Sequence, residues 1–278
     1  MPPHAPIEIA RLEDRRQARA VAEIARDAEP IMGGWMCRDE PGSWCNQAVA
    51  LGLDAPATAA EVDRLVAYYV SAGIEPRVEL CPFAHESLVH KLRDHAFTLR
   101  QFENVLYLQL SEPAALDHLP TSPPEGVTIE IVDRDDAEQV ETFIQASSLG
   151  FFKEGEPIPE HFLESMRRVV RHPRTESFLA RLDSKPVGGG GVEVADIDGV
   201  TTSCLFGVSV LPHARRRGIQ QALIAERARY ARDRGARIAC IGSKPGIPTE
   251  RNAARLGFRM AYTKAILAMA GEGLAPSP

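Results

Sequence analysis

The chain has 278 residues, of which 44% are hydrophobic, so it can form one large or two ordinary domains with a sizeable core. Its formal net charge of −6 argues against nucleic acid as the main partner, because a broad basic surface is missing. Five cysteines without a Cys-x-x-Cys pair argue against a disulfide framework or a structural zinc site, and we expect no metal. No segment is long and apolar enough to span a membrane and no apolar signal core begins the chain, so we expect a cytoplasmic protein without membrane contact.

The first half alternates strand-like and helix-like segments. We predict strands over residues 7–10, 44–53, 77–80 and 105–110, helices over 14–28, 58–72 and 85–96, and a loop over 32–43. Asp14 is the expected N-cap of the first helix. Thr58 and Glu61 have the spacing of a capping box, in which each side chain bonds the other residue's backbone N–H.

A proline-rich stretch separates this half from the next. Few apolar residues recur periodically over residues 111–126, which predicts a linker at 113–126 between domains of 1–112 and 127–278. In the second half we predict strands over 127–132, 177–182, 187–194, 205–211 and 238–241, helices over 136–148, 159–171, 218–234 and 249–256, and a closing pair of strands within 259–268.

The most informative stretch is the turn after the strand 205–211. Three arginines and a glycine precede a helical pattern there: Arg215, Arg216, Arg217 and Gly218. Arginine at a helix N-terminus faces the positive end of the macrodipole, which is mildly unfavourable unless an anion is bound. The N–H groups of the first helical turn would point at a phosphate, and a glycine lets it approach the backbone closely. The turn therefore predicts a phosphate-bearing ligand.

This stretch resembles the acyl-CoA-binding motif of the GNAT acetyltransferase superfamily, Arg/Gln-x-x-Gly-x-Gly/Ala after a strand ending near Val-x-Pro. Val210 and Pro212 match the strand end, whereas Gln220 stands where Gly or Ala is commonest. The resemblance implies acetyl-CoA as co-substrate. The residues that it implies for binding are Val208, Ser209, Val210, Arg215, Arg216, Arg217, Gly218, Ile219, Gln220, Gln221 and Asn252.

The resemblance also implies a mixed α/β fold, with a mostly antiparallel sheet flanked by helices. The first half repeats the order of elements loosely but lacks the Arg-x-x-Gly-x-Gly turn. It resembles a degenerate GNAT-like domain, as in tandem GNAT proteins, and the alternative is an unrelated α/β domain. The glycine run 188–191 lies in a strand pattern with no Gly-Lys-Ser/Thr after it, so we interpret it as a bulge or a close backbone approach.

Acetyl transfer to an amine requires a neutral amine, a donor for the oxyanion and tolerance of the leaving thiolate. By the resemblance, backbone N–H groups of residues 206–210 face the thioester. The usual glutamate base falls at Cys204 and the usual tyrosine acid at Ala253, so both are missing. The remaining catalytic candidates are Tyr262, Glu193 and Glu250 at the start of the short helix, with purely structural roles as the alternative. We interpret Cys204 as a small buried hydrophobe, which favours direct attack by the amine.

The loop after the helix 136–148 carries Phe151, Phe152 and Glu154. In GNAT-like folds the corresponding loop forms a wall of the acceptor site. Aromatic faces and carboxylates attract a cation, so this loop predicts the acceptor site for an amine. The alternative is that both phenylalanines pack in the core and the glutamate is solvated.

These observations predict an N-acetyltransferase that moves an acetyl group from acetyl-CoA directly to a primary amine of a small molecule or peptide, as a monomer or homodimer. The first alternative is a non-catalytic acyl-CoA-binding regulatory module, which the missing glutamate and tyrosine favour. The second is a nucleotide-binding protein that uses the arginine-rich turn, against which the absent Walker pattern counts.

Overall fold

The computed structural model describes residues 4–152 and 155–276, which form two compact units. The N-terminal unit contains His4–Val105 together with residues 261–276, and the C-terminal unit contains Leu106–Met260. The last described residues thus group with the first unit, although they follow the second in sequence. The division into functional domains of 1–112 and 127–278 stays a prediction.

Eleven strands and seven α-helices are described along the chain. The helices are α1 (Pro6–Ile24), α2 (Ala59–Val70), α3 (Glu86–Asp94), α4 (Ala137–Ser148), α5 (Glu160–Arg171), α6 (Ile219–Asp233) and α7 (Pro248–Arg255). The strands are β1 (Asp27–Ile31), β2 (Gly34–Arg38), β3 (Gln47–Val49), β4 (Arg77–Leu80), β5 (Thr98–Leu108), β6 (Val127–Ile131), β7 (Thr175–Leu182), β8 (Lys185–Ile197), β9 (Val200–Val210), β10 (Ile238–Ser243) and β11 (Arg259–Ala268).

The strands of the N-terminal unit lie in the order β1-β2-β3-β4-β11-β5. The pairs β1/β2, β2/β3 and β4/β11 are antiparallel and β3/β4 is parallel, so this sheet is mixed and mostly antiparallel. Its core lies between the sheet and helices α2 and α3, where Val62, Leu65, Tyr69, Leu88 and Leu92 are buried together.

Two predictions near the N-terminus are wrong. Residues 7–10, predicted as a strand, form the first turns of α1, because Pro6 suits the first helical position and Glu8 suits the positive helix end. Asp14 is therefore not an N-cap but a buried residue inside that helix. The alternation of Ile7, Glu8 and Ile9 imitates a strand over too few residues to distinguish it from a helix.

Residues 32–43, predicted as a loop, include the strand β2, which pairs with β1 through a tight turn at Met32 and Gly33. Both turn residues have positive φ angles, 48° and 80°, as two-residue hairpins require. The predicted strand 44–53 is reduced to Gln47–Val49. The capping box of α2 is confirmed, since Thr58 Oγ1 accepts from the Glu61 N–H at 3.3 Å and Glu61 Oε2 accepts from the Thr58 N–H at 2.8 Å.

The C-terminal unit follows the sequence predictions more closely. Its strands lie in the order β10-β9-β8-β7-β6, with β10 parallel to β9 and the other pairs antiparallel. Phe178 packs in the cluster that contains α6, and its neighbour Leu179 packs with α4 and α5. Because successive strand residues point to opposite faces, these helices cover both faces of the sheet.

Two further stretches bear on the predictions. The proline-rich stretch carries no helix or strand, yet Leu119 is buried in the α6 cluster and Arg229 donates to the Pro120 carbonyl. The stretch thus packs within the C-terminal unit, and its role as a linker between domains stays a prediction. The predicted closing pair of strands is one continuous strand, β11.

Candidate functional site

The turn between β9 and α6 is shaped by two residues with left-handed backbone. Pro212–Ala214 form a 3-10 turn after β9, and Arg216 and Gly218 have φ angles of 62° and 79°. Gly218 is the N-cap of α6, and within the described residues no side chain caps this helix end. The first N–H groups of α6 therefore remain available to an anion.

A cavity of about 880 Å³ opens at this turn. All the residues predicted to bind acetyl-CoA line it except Arg217, which is exposed elsewhere on the turn. The wall also includes residues from the loop after α4 and from α7. The lining residues are Gly150, Phe151, Val208, Ser209, Val210, Ala214, Arg215, Arg216, Gly218, Ile219, Gln220, Gln221, Pro248, Thr249, Arg251, Asn252 and Arg255.

The cavity wall is strongly positive. Arg215 and Arg216 come from the turn, and Arg251 and Arg255 come from α7, where their spacing of four residues places them on one helix face. No described lining residue is Asp or Glu, although the chain as a whole carries a net charge of −6. Neither Arg251 nor Arg255 was predicted as a site residue, although their spacing of four residues on a short helix was an available signal.

A network of amide side chains joins α6 to α7 along the cavity. Asn252 donates from Nδ2 to Gln220 Oε1 at 2.6 Å, and Gln220 donates from Nε2 to Thr249 Oγ1 at 3.0 Å. Gln221 donates to Asn252 Oδ1 at 3.4 Å. The Gln220 side chain is thus engaged with α7, and the predicted ligand contact of Asn252 competes with these bonds.

Ser209 carries an unpaired hydroxyl in the cavity wall. The residue is 7% exposed, and its Oγ has no hydrogen-bond partner among the described residues. A Cβ at position 150 would overlap this oxygen, so glycine is required there. A buried hydroxyl without a partner is costly, which makes Ser209 a natural contact for a polar ligand.

Beside the cavity, strand β9 parts from β10, and its pairing with β8 shifts by one residue. Its parallel pairing with β10 covers Thr202, Ser203 and Cys204, and no further pairs between the two strands occur in the described chain. On the other side, Gly189 pairs with Ser209 whereas Gly191 pairs with Phe206, so β9 bulges by one residue. The backbone of the second half of β9 therefore has N–H groups that the sheet does not use.

This bulge explains the glycine run in β8. A Cβ on Gly189 would lie 2.7 Å from Phe143 Cε2, and one on Gly190 would lie 2.7 Å from Arg227 Nη1. The interpretation of residues 188–191 as a close backbone approach is confirmed, and the bulge itself lies on the facing strand β9.

Comparison with known proteins identifies this part of the chain. The model of the acetyltransferase (GNAT) family matches residues 140–258. Residues 140–258 carry a GNAT acetyltransferase domain. This segment, hereafter the GNAT domain, holds α6, α7, β9 and nearly the whole sheet of the C-terminal unit.

Solved structures extend the likeness of fold to nearly the whole chain. A GCN5-related N-acetyltransferase from Kribbella flavida is 21% identical, with a TM-score of 0.66 over 94% of this chain and 97% of its own. A tandem GNAT protein from the clavulanic acid biosynthesis pathway is 12% identical, with a TM-score of 0.59 over 97% of this chain and 98% of its own. The predicted mixed α/β fold of the tandem GNAT type is thereby confirmed. Among curated proteins no significant match was found.

The GNAT domain lacks the glutamate base and the tyrosine acid at the positions where the resemblance expects them. Cys204 and Ala253 occupy these positions, and both are buried. Glu193 is 2% exposed, its Oε1 accepts from Arg174 Nε at 3.1 Å, and it does not line the cavity. The carboxylate of Glu193 is thus held by an arginine, and its catalytic role stays a prediction.

Tyr262 belongs to the N-terminal unit, where its hydroxyl donates to Asp14 Oδ1 at 2.6 Å. Burial and the Asp14 carboxylate raise the pKa of Tyr262 well above its ordinary value. Lys264 Nζ lies 2.9 Å from the same carboxylate oxygen, so Tyr262 is part of a buried polar cluster of that unit. Its role as a proton donor stays a prediction.

In the predicted acceptor loop, one phenylalanine lines the cavity and the other packs in the core. Phe151 is 55% exposed and lines the cavity, as an acceptor wall requires. Phe152 packs edge-on against Phe162 of α5, with ring centroids 5.1 Å apart, as a core residue would. Glu154 lies outside the described residues.

None of the helices in residues 4–152 and 155–276 combines the length and the apolar character needed to cross a bilayer.

Proposed function

We propose that the GNAT domain is an N-acetyltransferase that binds acetyl-CoA in the cavity at the start of α6 and transfers the acetyl group to a primary amine. The observation that carries this proposal is the charge of the cavity wall. Four arginines line it without a described carboxylate. CoA carries a pyrophosphate and a 3′-phosphate, with about four negative charges at neutral pH, so its charge complements this wall.

The turn fits the pyrophosphate. The uncapped N–H groups of α6 and the positive end of its macrodipole favour an anion beside Gly218. Arg215 donates from Nε to the Val210 carbonyl at 2.9 Å, which anchors that side chain at the end of β9. The two positive φ angles keep the backbone of the turn close to the bound anion.

The opposite end of the cavity fits the thioester arm. Acetyl-CoA, when bound, supplies an acetyl group already activated as a thioester. The unpaired hydroxyl of Ser209 and the backbone of β9 beyond its pairing with β10 supply hydrogen-bond donors there. Donors fixed in place before reaction stabilise the negative charge that develops on a carbonyl oxygen.

The amine attacks directly in this proposal. Neither Cys204 nor Ala253 supplies a carboxylate or phenol, and the Glu193 carboxylate is held by Arg174. None of the described residues that line the cavity supplies an evident base, so the amine must lose its proton before it attacks. Desolvation on entry lowers the pKa of an alkylamine and so favours the neutral form.

We infer that the acceptor is a small-molecule or peptide amine that contacts Phe151. This ring is exposed in the cavity wall and can cover the apolar body of an acceptor or attract its cationic form. The test is steady-state kinetics of Phe151→Ala with any acceptor that supports turnover. Unchanged acceptor KM and kcat/KM would show that this loop is not part of the acceptor site. A cytoplasmic monomer or homodimer remains our expectation.

A non-catalytic acyl-CoA-binding module is the second candidate, and the absence of the usual glutamate and tyrosine favours it. Incubation with acetyl-CoA and a panel of primary amines, with the release of free thiol as the readout, separates the two. Thiol release that depends on the amine supports the transferase. Calorimetric binding of acetyl-CoA without turnover on any amine would support the binding module, and binding of ATP but not CoA would reject both.

A further inference from the structure

One arginine of α6 is buried against the sheet instead of facing solvent. Arg227 is 0% exposed, the bulkiest fully buried side chain among the described residues. Its Nη1 donates to the carbonyl of Gly191 on β8 at 2.8 Å and to the carbonyl of Phe206 on β9 at 3.0 Å. Its Nε donates to the Leu223 carbonyl at 2.9 Å, which fixes the side chain to its own helix.

These contacts fall at the bulge of β9. Gly207 and Val208 stand opposite the single residue Gly190, and Phe206 is the last residue of β9 before the bulge. Gly207 has a φ angle of 61°, so the chain turns sharply there. Arg227 occupies the space that a side chain at position 190 would need, and it satisfies carbonyls on both strands where their register shifts.

The guanidinium retains its charge. Burial lowers the pKa of Arg227 to about 9, so the group stays protonated at neutral pH. Within the described parts of the chain, no carboxylate pairs with Arg227, and its Nη2 has no hydrogen-bond partner. A buried charge with no counter-ion is expensive for stability alone, which points to a role in the site.

The hydrogen bond from Arg227 to the Phe206 carbonyl polarises the peptide group between Phe206 and Gly207. A donor on a peptide carbonyl strengthens the N–H of the same peptide as a donor, because hydrogen bonds in a chain polarise one another. That N–H belongs to Gly207, at the start of the bulge. The next two residues, Val208 and Ser209, line the cavity.

We propose that Arg227 is a positioning residue of the acyl-transfer site, which holds the bulge of β9 in place for the acyl carbonyl and strengthens the Gly207 N–H as a donor. This inference rests on the proposed function, because it assigns the bulge to the acyl end of the ligand. It predicts that Arg227 affects recognition of the acetyl group and leaves recognition of the CoA phosphates unchanged. A role limited to filling space predicts no such difference.

The first test needs no ligand. Phe206–Gly207 is the one Phe-Gly pair in the sequence. Protein labelled with carbonyl-¹³C phenylalanine and ¹⁵N glycine therefore gives a single carbonyl–amide correlation in an NMR spectrum, which reports on this peptide. We compare wild type with Arg227→Met and Arg227→Lys, and use Arg232→Met as the matched control, because Arg232 is an exposed arginine of the same helix.

We expect the signal to move strongly in Arg227→Met, to move less in Arg227→Lys, which keeps the charge, and to stay in place in Arg232→Met. An unchanged signal in a folded Arg227→Met protein would contradict the proposal that Arg227 holds the bulge. If Arg227→Met does not fold, Arg227→Lys is decisive, since its signal must still move.

The second test is calorimetric titration of the same variants with CoA and with acetyl-CoA. We expect wild type to bind acetyl-CoA more tightly than CoA. In Arg227→Met, the ratio of the Kd for CoA to the Kd for acetyl-CoA should fall at least about threefold, while the Kd for CoA changes less than about twofold. Equal affinities of wild type for the two ligands, or an equal loss for both in Arg227→Met, would refute the proposal. Failure of wild type to bind either ligand would reject the proposed function itself, and the NMR result would still decide whether Arg227 shapes the bulge.

Discussion

Gly150 and Ser209 share one space in the cavity wall. A Cβ at position 150 would overlap Ser209 Oγ and lie 3.0 Å from Ser209 Cβ, so the loop after α4 reaches β9 only because residue 150 has no side chain. The contact joins the predicted acceptor loop to the predicted cofactor strand, and the hydroxyl between them has no hydrogen-bond partner among the described residues. It ties two parts of the site to one another.

We predict that Gly150→Ala displaces the Ser209 hydroxyl and weakens acetyl-CoA binding by about tenfold, which corresponds to about 1.4 kcal/mol. Ser209→Ala alone removes one polar contact and has a smaller effect. The double variant should recover part of the loss, because the overlap with Oγ is gone. Calorimetric titration of wild type, the two single variants and the double variant with acetyl-CoA measures the coupling free energy between residues 150 and 209. Strictly additive effects would show that the two residues act independently.

The two arginines of α7 allow a test of how the cavity binds the phosphates of CoA. We propose that Arg251 and Arg255 bind the 3′-phosphate of CoA. Arg251→Gln with Arg255→Gln should then weaken binding of CoA by about tenfold and leave dephospho-CoA nearly unaffected. Arg232→Gln, on the exposed face of α6, is the control and should bind both ligands as wild type does. Equal losses for CoA and dephospho-CoA in the double variant would assign these arginines to the pyrophosphate instead.

Cys204 tests whether the reaction passes through an acyl-enzyme. The residue is buried on β9 and its matching family position usually holds a glutamate base, so we predict that Cys204→Ala keeps most of its turnover. Intact-mass spectra of wild type incubated with acetyl-CoA should show no acetylated Cys204. An acetyl adduct on that residue that disappears when amine is added would contradict direct attack.

Arg227 also predicts how stability depends on pH. Burial lowers the pKa of Arg227 from its ordinary value to about 9, so above about pH 9 the unfolded chain binds a proton that the folded protein lacks. Stability therefore rises with pH in this window. Relative to Arg227→Met, wild type should gain about 1 kcal/mol of unfolding free energy between about pH 8 and about pH 10. Urea denaturation at both pH values measures this, and Arg232→Met should follow wild type. A difference that does not change with pH would contradict the prediction.

The sequence predicts the C-terminal unit well because its signals are local. The strand, arginine-rich turn and glycine that define the cavity are consecutive, and Asp136, predicted to begin the helix 136–148, caps α4 through bonds to the N–H groups of Glu138 and Gln139. The hairpin at residues 27–38 was missed because Gly33 and Gly34 were interpreted as loop residues. Gly34 in fact lies in β2, against the backbone of β3.

The parts of the site that the sequence analysis missed depend on packing between distant segments. The approach of Gly150 to Ser209 joins residues 59 positions apart, and Arg227 reaches Gly191 across 36 positions. An arginine inside a helical pattern is normally solvated, so no periodicity identifies Arg227 as buried. The glycine run in β8 was the one local sign that large side chains press on that strand.

The most direct test of this account is calorimetric titration of acetyl-CoA into wild type and Gly218→Asp. Aspartate at the N-cap of α6 would place a carboxylate where the pyrophosphate is proposed to bind, and we predict that binding weakens at least about 100-fold. Gly199→Asp is the matched control, because Gly199 has nearly the same φ angle, 78° against 79°, and does not line the cavity. We predict that it binds acetyl-CoA as wild type does. Wild-type affinity in Gly218→Asp would contradict the assignment of the acetyl-CoA site to this turn.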